Sequence, residues 1–168
     1  MELVKVAPSE FDFIYGELVE NFIEDERREY KEAKEVFQNE DFIVFNAILD
    51  GEKVGFVTVW NLTDFLFIEH FVVYKQFRNK GYGGKILQKL KELNIPLVLE
   101  SEPPISDFAI RRLEFYKRNG FVANPEKYYQ PPYRKNGNKV ELILHSYPTL
   151  LKNQGETVSQ IYEKVYKI

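Results

Sequence analysis

Residues 65 to 93 read Phe65-Leu-Phe-Ile-Glu69-His70-Phe71-Val72-Val73-Tyr-Lys-Gln-Phe-Arg78-Asn79-Lys80-Gly81-Tyr82-Gly83-Gly84-Lys-Ile86-Leu87-Gln-Lys-Leu90-Lys-Glu-Leu93. A β-rich apolar run passes through a glycine turn straight into a helical pattern, with Ile86, Leu87, Leu90 and Leu93 on one face. Such a turn leaves the first N–H groups of the helix without partners. Gly81, Gly83 and Gly84 have no Cβ to obstruct close approach, and Arg78 and Lys80 add positive charge. Together with Asn79 and Tyr82 they describe a site for a pyrophosphate.

Upstream, Phe42 to Leu49 and Val54 to Trp60 flank Asp50-Gly51. Asp-Gly between β-rich runs predicts a type I′ hairpin, because both central residues of that turn need positive φ. Leu3 to Val6 reads as a first strand. Two helical patterns follow, Ile14-Leu18-Phe22 and Tyr30-Ala33-Phe37, separated by the charged run Glu24-Asp-Glu-Arg-Arg28. Downstream, Pro96 to Glu100 is a buried strand and Asp107 to Asn119 a helix closed by Asn119-Gly120. Phe121 to Ala123 and Val140 to Ser146 are strands, with an irregular aromatic segment, Tyr128 to Tyr133, between them. Val158, Ile161, Tyr162 and Val165 mark a C-terminal amphipathic helix whose short apolar stripe favours docking within the chain over a dimer contact. The order β-α-α-β-β-β-α-β-α-β-β implies an α/β fold: one mixed, mostly antiparallel sheet with helices on both faces.

The chain has 168 residues, 44% of them hydrophobic, enough for one substantial core. A formal net charge of −3 argues against a sequence-independent nucleic-acid binder. There is no cysteine, which excludes disulfides, thiolate metal sites and an acyl-cysteine intermediate. Neither a basic-then-apolar leader nor a membrane-length apolar run is present, so a cytoplasmic protein is the expectation, with no metal, nucleic-acid or membrane partner and a homodimer left open.

Three glycine-loop classes compete for residues 78–84. A dinucleotide turn, Gly-x-Gly-x-x-Gly, would find Ile86 at its third glycine and would open a run of βαβ units instead of following a hairpin. A nucleotide P-loop fails at Asn79 and again at Ile86. Arg78-x-x-Gly81-x-Gly83 after a strand, joined later by Phe115-Tyr116-x-x-x-Gly120-Phe121, resembles the GNAT superfamily of acetyl-CoA-dependent N-acetyltransferases. The resemblance spans residues 1–147 as an N-acetyltransferase domain and leaves 148–168 as a helical extension.

The resemblance implies acetyl-CoA as co-substrate, held by Arg78, Asn79, Lys80, Gly81, Tyr82, Gly83 and Gly84. Backbone N–H groups of Phe71, Val72 and Val73 would splay from the neighbouring strand to hold the pantetheine arm and the thioester oxygen. It implies direct attack by an amine in a ternary complex, with Glu69 as base through water and Tyr116 as acid to the coenzyme thiolate. A regular strand would put Phe67, Glu69 and Phe71 on one face and His70 on the other. Aromatic neighbours would then raise the Glu69 pKa by desolvation. His70 reads more readily as a satisfied core histidine than as a base. On the acceptor side, Glu24, Glu100, Glu102, Tyr128 and Tyr133 are candidates for holding a cationic small-molecule or peptide amine. A non-catalytic acyl-CoA-binding or sensor module on the same fold is the alternative.

Overall fold

In the computed structural model, which describes Met1–Ile168, the chain runs β1 (Glu2–Lys5), α1 (Phe11–Asn21), α2 (Tyr30–Val36), β2 (Phe42–Leu49), β3 (Glu52–Asn61), β4 (Leu66–Val73), α3 (Tyr82–Lys91), β5 (Leu97–Ser101), α4 (Asp107–Arg118), β6 (Val122–Ala123), β7 (Tyr128–Gln130), β8 (Val140–Tyr147) and α5 (Gln154–Ile161). Asp50 and Gly51 take φ of 53° and 82°, the hairpin turn that their side chains favour. The strands form one sheet in the order β1-β2-β3-β4-β5-β8-β6, with β7 also paired to β8. Only β4 and β5 run parallel.

Strand alternation sends apolar residues to both faces, and each face is covered by helices. On one, Val57, Val59, Leu66, Ile68, Leu97 and Leu99 pack against Ile86, Leu87 and Leu90 of α3 and Tyr116 of α4. On the other, Val44, Phe56 and Val72 meet Ile14 and Leu18 of α1. Beside them, Trp60, Phe67, Val98 and Leu144 meet Val36 of α2 and, from the C-terminal extension, Ile161 and Val165. The extension, which lengthens α5 by a π turn over Tyr162–Tyr166, therefore docks within the chain and shares the sheet's core. No helix is long and apolar enough to cross a membrane.

Two irregularities in the sheet create the site. The register of β3 against β4 shifts so that His70 opposes Thr58 while Ile68 opposes Val59, leaving Glu69 as an extra residue. This β-bulge turns both Glu69 and His70 toward the α1–α2 face. The regular-strand expectation is thereby corrected: Phe67 faces the α2 side, Phe71 faces α3 and α4, and His70 accompanies Glu69. Second, β4 and β5 pair only over Leu66–Ile68 and Leu97–Leu99. Beyond that point β4 stays with β3 and β5 with β8, so the sheet forks.

The aromatic segment expected to be irregular contains a strand, since Tyr128, Tyr129 and Gln130 pair with Leu142, Glu141 and Val140 of β8. Pro131 and Pro132 lie immediately after it and end the pairing instead of preventing it.

Candidate active site

The glycine turn has the form its residues imply. Gly81 caps α3 in the left-handed region at φ 75°, and the N–H groups of Asn79 through Gly84 find no acceptor within the chain. They form a concentrated donor surface at the positive end of a helix dipole. Gly83 and Gly84 have a further reason to lack side chains. A Cβ at Gly83 would lie 3.1 Å from the Phe115 ring, and one at Gly84 would lie 3.3 Å from Asn119 Oδ1. Close packing of α3 on α4 therefore accounts for these two. Arg78 turns its guanidinium away from the helix end, its Nε donating to Val73 O at 3.0 Å and its Nη2 to Asn21 Oδ1 at 2.7 Å. It braces the loop, while Lys80 rests near the Phe77 ring.

The fork presents unpaired backbone beside this turn. Tyr74 N–H bonds back to Val54 O, and the Val72 carbonyl lies against Gly55 of β3. Alternation along an antiparallel strand turns the N–H groups of Phe71 and Val73 the other way, into the fork. Val72, expected to point its amide there too, is committed to β3.

Glu69 does not sit in an uncompensated aromatic pocket. Its side chain is 1% exposed and accepts from Arg28 Nη1 at 2.5 Å, Trp60 Nε1 at 3.1 Å and the Tyr133 hydroxyl at 3.0 Å. Burial alone would push its pKa up, but the Arg28 guanidinium, with His70 and the hydrogen bonds from Arg28 and Trp60, holds it below the ordinary carboxylate value. The expected upward shift is corrected accordingly. Arg28 also donates to Val165 O at 2.7 Å, at the C-terminal end of the last helix, and lies over the Trp60 and Tyr133 rings. His70 is satisfied as a core histidine, with Nδ1 3.2 Å from Thr58 Oγ1 and Nε2 3.0 Å from Glu26 O, and burial lowers its pKa.

The other acidic candidates divide sharply. Glu24 is largely exposed and reaches Arg134 at 3.4 Å. Glu102 accepts from Arg112 Nη1 at 3.0 and 2.8 Å. Glu100 has no cation within reach: it accepts from the Tyr128 hydroxyl, from Gln130 Nε2 at 3.2 Å and from the Tyr166 hydroxyl at 3.3 and 3.2 Å. Burial drives its pKa up to about 7 against the Tyr128 and Tyr166 hydrogen bonds, with the negative Glu69 adding to the rise. Tyr128 and Tyr133 thus serve the two carboxyls directly, in place of lining an outer wall.

Tyr116 projects from α4 into the face bearing α3, its ring 5.9 Å from Phe121 and 5.5 Å from His145. Its pKa is raised, chiefly by burial and further by Glu102, so the phenol stays protonated at neutral pH. His145 is held by Ser101 Oγ at 2.7 Å and is neutral, burial lowering its pKa to about 4. Arg28, Trp60, His145 and Tyr166 are site-forming residues not among the sequence candidates. Of these only Arg28 and Tyr166 carried a local signal, a cation closing an acidic run and an aromatic near the C-terminal apolar stripe.

A GNAT acetyltransferase domain model matches residues 39–123, from the hairpin through the glycine turn to β6. A Bacteroides thetaiotaomicron protein described as a GNAT-family acetyltransferase superposes with a TM-score of 0.94 at 30% identity, covering 100% of this chain and 99% of that one. YjbC of Bacillus subtilis, named as an acetyltransferase, is 35% identical over 107 residues, which span 61% of this chain and 56% of YjbC. The spermidine N-acetyltransferase SpeG of Vibrio cholerae shares the fold, with a TM-score of 0.64 at 13% identity over 87% of this chain and 94% of that one. The chain belongs to the GNAT family of acetyltransferases.

Proposed function

We propose that this protein moves an acetyl group from acetyl-CoA to a primary amine by direct attack in a ternary complex. The observation that carries this is the alignment of two sets of free backbone donors, the α3 N-terminus and the β4–β5 fork. Pyrophosphate on the first and pantetheine along the second would bring the thioester to the point where the sheet opens. A donor from Phe71 or Val73 would then face the thioester oxygen as charge develops on it. Tyr116, protonated and held by its ring contacts, would supply the proton to the departing thiolate. The amine would enter from the α1–α2 face, where Glu69, Glu100 and the tyrosines converge. Glu69, fully committed to Arg28, Trp60 and Tyr133, gives that wall its shape and charge.

Free coenzyme A released on addition of amines, followed by a thiol-reactive dye across mono-, di- and polyamines and peptide amines, tests the proposal. Saturable, amine-dependent release is expected. Tight acetyl-CoA binding with no release across the panel would replace catalysis with a binding or sensing role.

Gly81 allows a separate check on the cofactor side. Its surroundings would accept a side chain, with nothing within 4 Å of a Cβ, so substitution acts through the backbone alone. Gly81→Val is expected to cost about 1–2 kcal/mol in stability, because a β-branched residue resists positive φ. Redirection of the adjoining N–H groups should weaken acetyl-CoA about tenfold by calorimetry, the equivalent of about 1.4 kcal/mol.

A further inference from the structure

Two carboxyls face the same side of the sheet where it forks. Glu69 is the bulged residue of β4, and Glu100 is the first residue of β5 past its last partner on β4. Their surroundings push them apart. Glu69 has a buried cation against it, whereas Glu100 has only neutral donors. The titratable groups around Glu100 are Tyr128 of β7, Tyr133, Tyr162 and Tyr166 of the C-terminal helix, and the Glu69–Arg28 pair whose positive member is already used. A pair of acids held in opposite ionisation regimes is the usual way that one site divides acid–base labour.

We propose that Glu100, and not Glu69, takes the proton from the acceptor amine, with the Glu69–Arg28 pair a fixed positioning element beside it. This rests on the acetyl-transfer reading above. An alkylammonium, with a pKa near 10, must lose a proton before its nitrogen can attack. Glu100 accepts that proton, directly or through one water, and passes it to solvent. The nitrogen lone pair then forms the C–N bond, the C–S bond breaks with its electrons on sulfur, and Tyr116 protonates that sulfur. The second nitrogen proton restores Tyr116 through solvent, so one proton is released per acetyl group transferred. A carboxyl whose folded pKa lies near 7 suits this transfer, being half ionised at neutral pH and basic enough to hold the proton.

The test compares kcat/KM for the amine against pH in wild type, Glu100→Gln and Tyr166→Phe. Wild type should show an acidic limb with its midpoint near 7. Glu100→Gln should lose that limb and about 10²- to 10⁴-fold in rate, with acetyl-CoA affinity unchanged. Tyr166→Phe, which removes a hydrogen bond to the ionised form, should move the limb to higher pH. Thermal unfolding gives an arm that needs no acceptor. The folded state holds a proton on Glu100 that the unfolded chain releases between about 4.5 and 7, so wild type should lose stability relative to Glu100→Gln as pH rises through that window. A competent wild type beside a Glu100→Gln variant that keeps the limb, or keeps its rate within a few-fold, overturns the assignment alone. An unchanging stability difference does the same. No amine-dependent release from wild type overturns the acetyl-transfer reading and the assignment with it.

Discussion

Tyr116→Phe should lower kcat by about 10²- to 10³-fold while leaving acetyl-CoA affinity and thermal stability nearly unchanged. The selectivity of that effect follows from how the ring is held. Phe121 and His145 pack against the aromatic body, which the variant keeps, and no hydrogen bond within the chain depends on the hydroxyl. On the proposed role of Tyr116, only proton donation would be lost. A thiolate with a pKa of about 8.5 can leave unprotonated at a cost, which sets the residual rate. Burial raises the Tyr116 pKa, so the phenol stays protonated throughout the neutral range. Single-turnover kinetics with saturating amine isolates the chemical step. Equal rates for the two proteins would remove Tyr116 from the reaction.

Arg28→Met should cost about 3–5 kcal/mol of stability at neutral pH, because it leaves the buried Glu69 carboxylate without its partner. The pH dependence has a definite sign. In wild type the Glu69 pKa is depressed, so its contribution is present above the ordinary value of 4.5 and is lost as pH falls through the folded value. In the variant Glu69 gains from protonation, so the gap between the two proteins should narrow in acid. Urea unfolding at pH 7 and pH 4 measures this. Adding Glu69→Gln to Arg28→Met should recover much of the loss, since the uncompensated charge disappears with it. A loss at pH 7 below about 1 kcal/mol, within the range of exposed pairs, would mean that the pair is solvated.

What the residues disclosed before the fold was in view follows the range of the forces involved. The Asp50-Gly51 turn, the Gly81 cap and the apolar stripe of α3 are set by neighbours a few positions away, so local patterns report them. The bulge at Glu69 has no such signature: no glycine or proline marks it, and only pairing with β3 reveals the extra residue. That single register shift reversed the expected face of His70 and brought Glu69 to Arg28, 41 positions away. Arg28 stands in a charged run whose composition suggests a solvated surface, yet it is 5% exposed. Glu100 presented the converse difficulty. Its position at a strand end was readable, but the donors that surround it come from Tyr128, Gln130 and Tyr166, 28 to 66 positions further along.

On the proposed reading, acetyl-CoA lies with its pyrophosphate on the free amides opening α3 and its pantetheine arm in the β4–β5 fork. Titration of the ¹⁵N-labelled protein with acetyl-CoA, followed by amide NMR, tests it most directly. Saturable shifts are expected, largest at Lys80, Gly81, Tyr82, Gly83 and Gly84 and accompanied by Phe71 and Val73. Shifts that bypass both segments, or no saturation at millimolar acetyl-CoA, would contradict it.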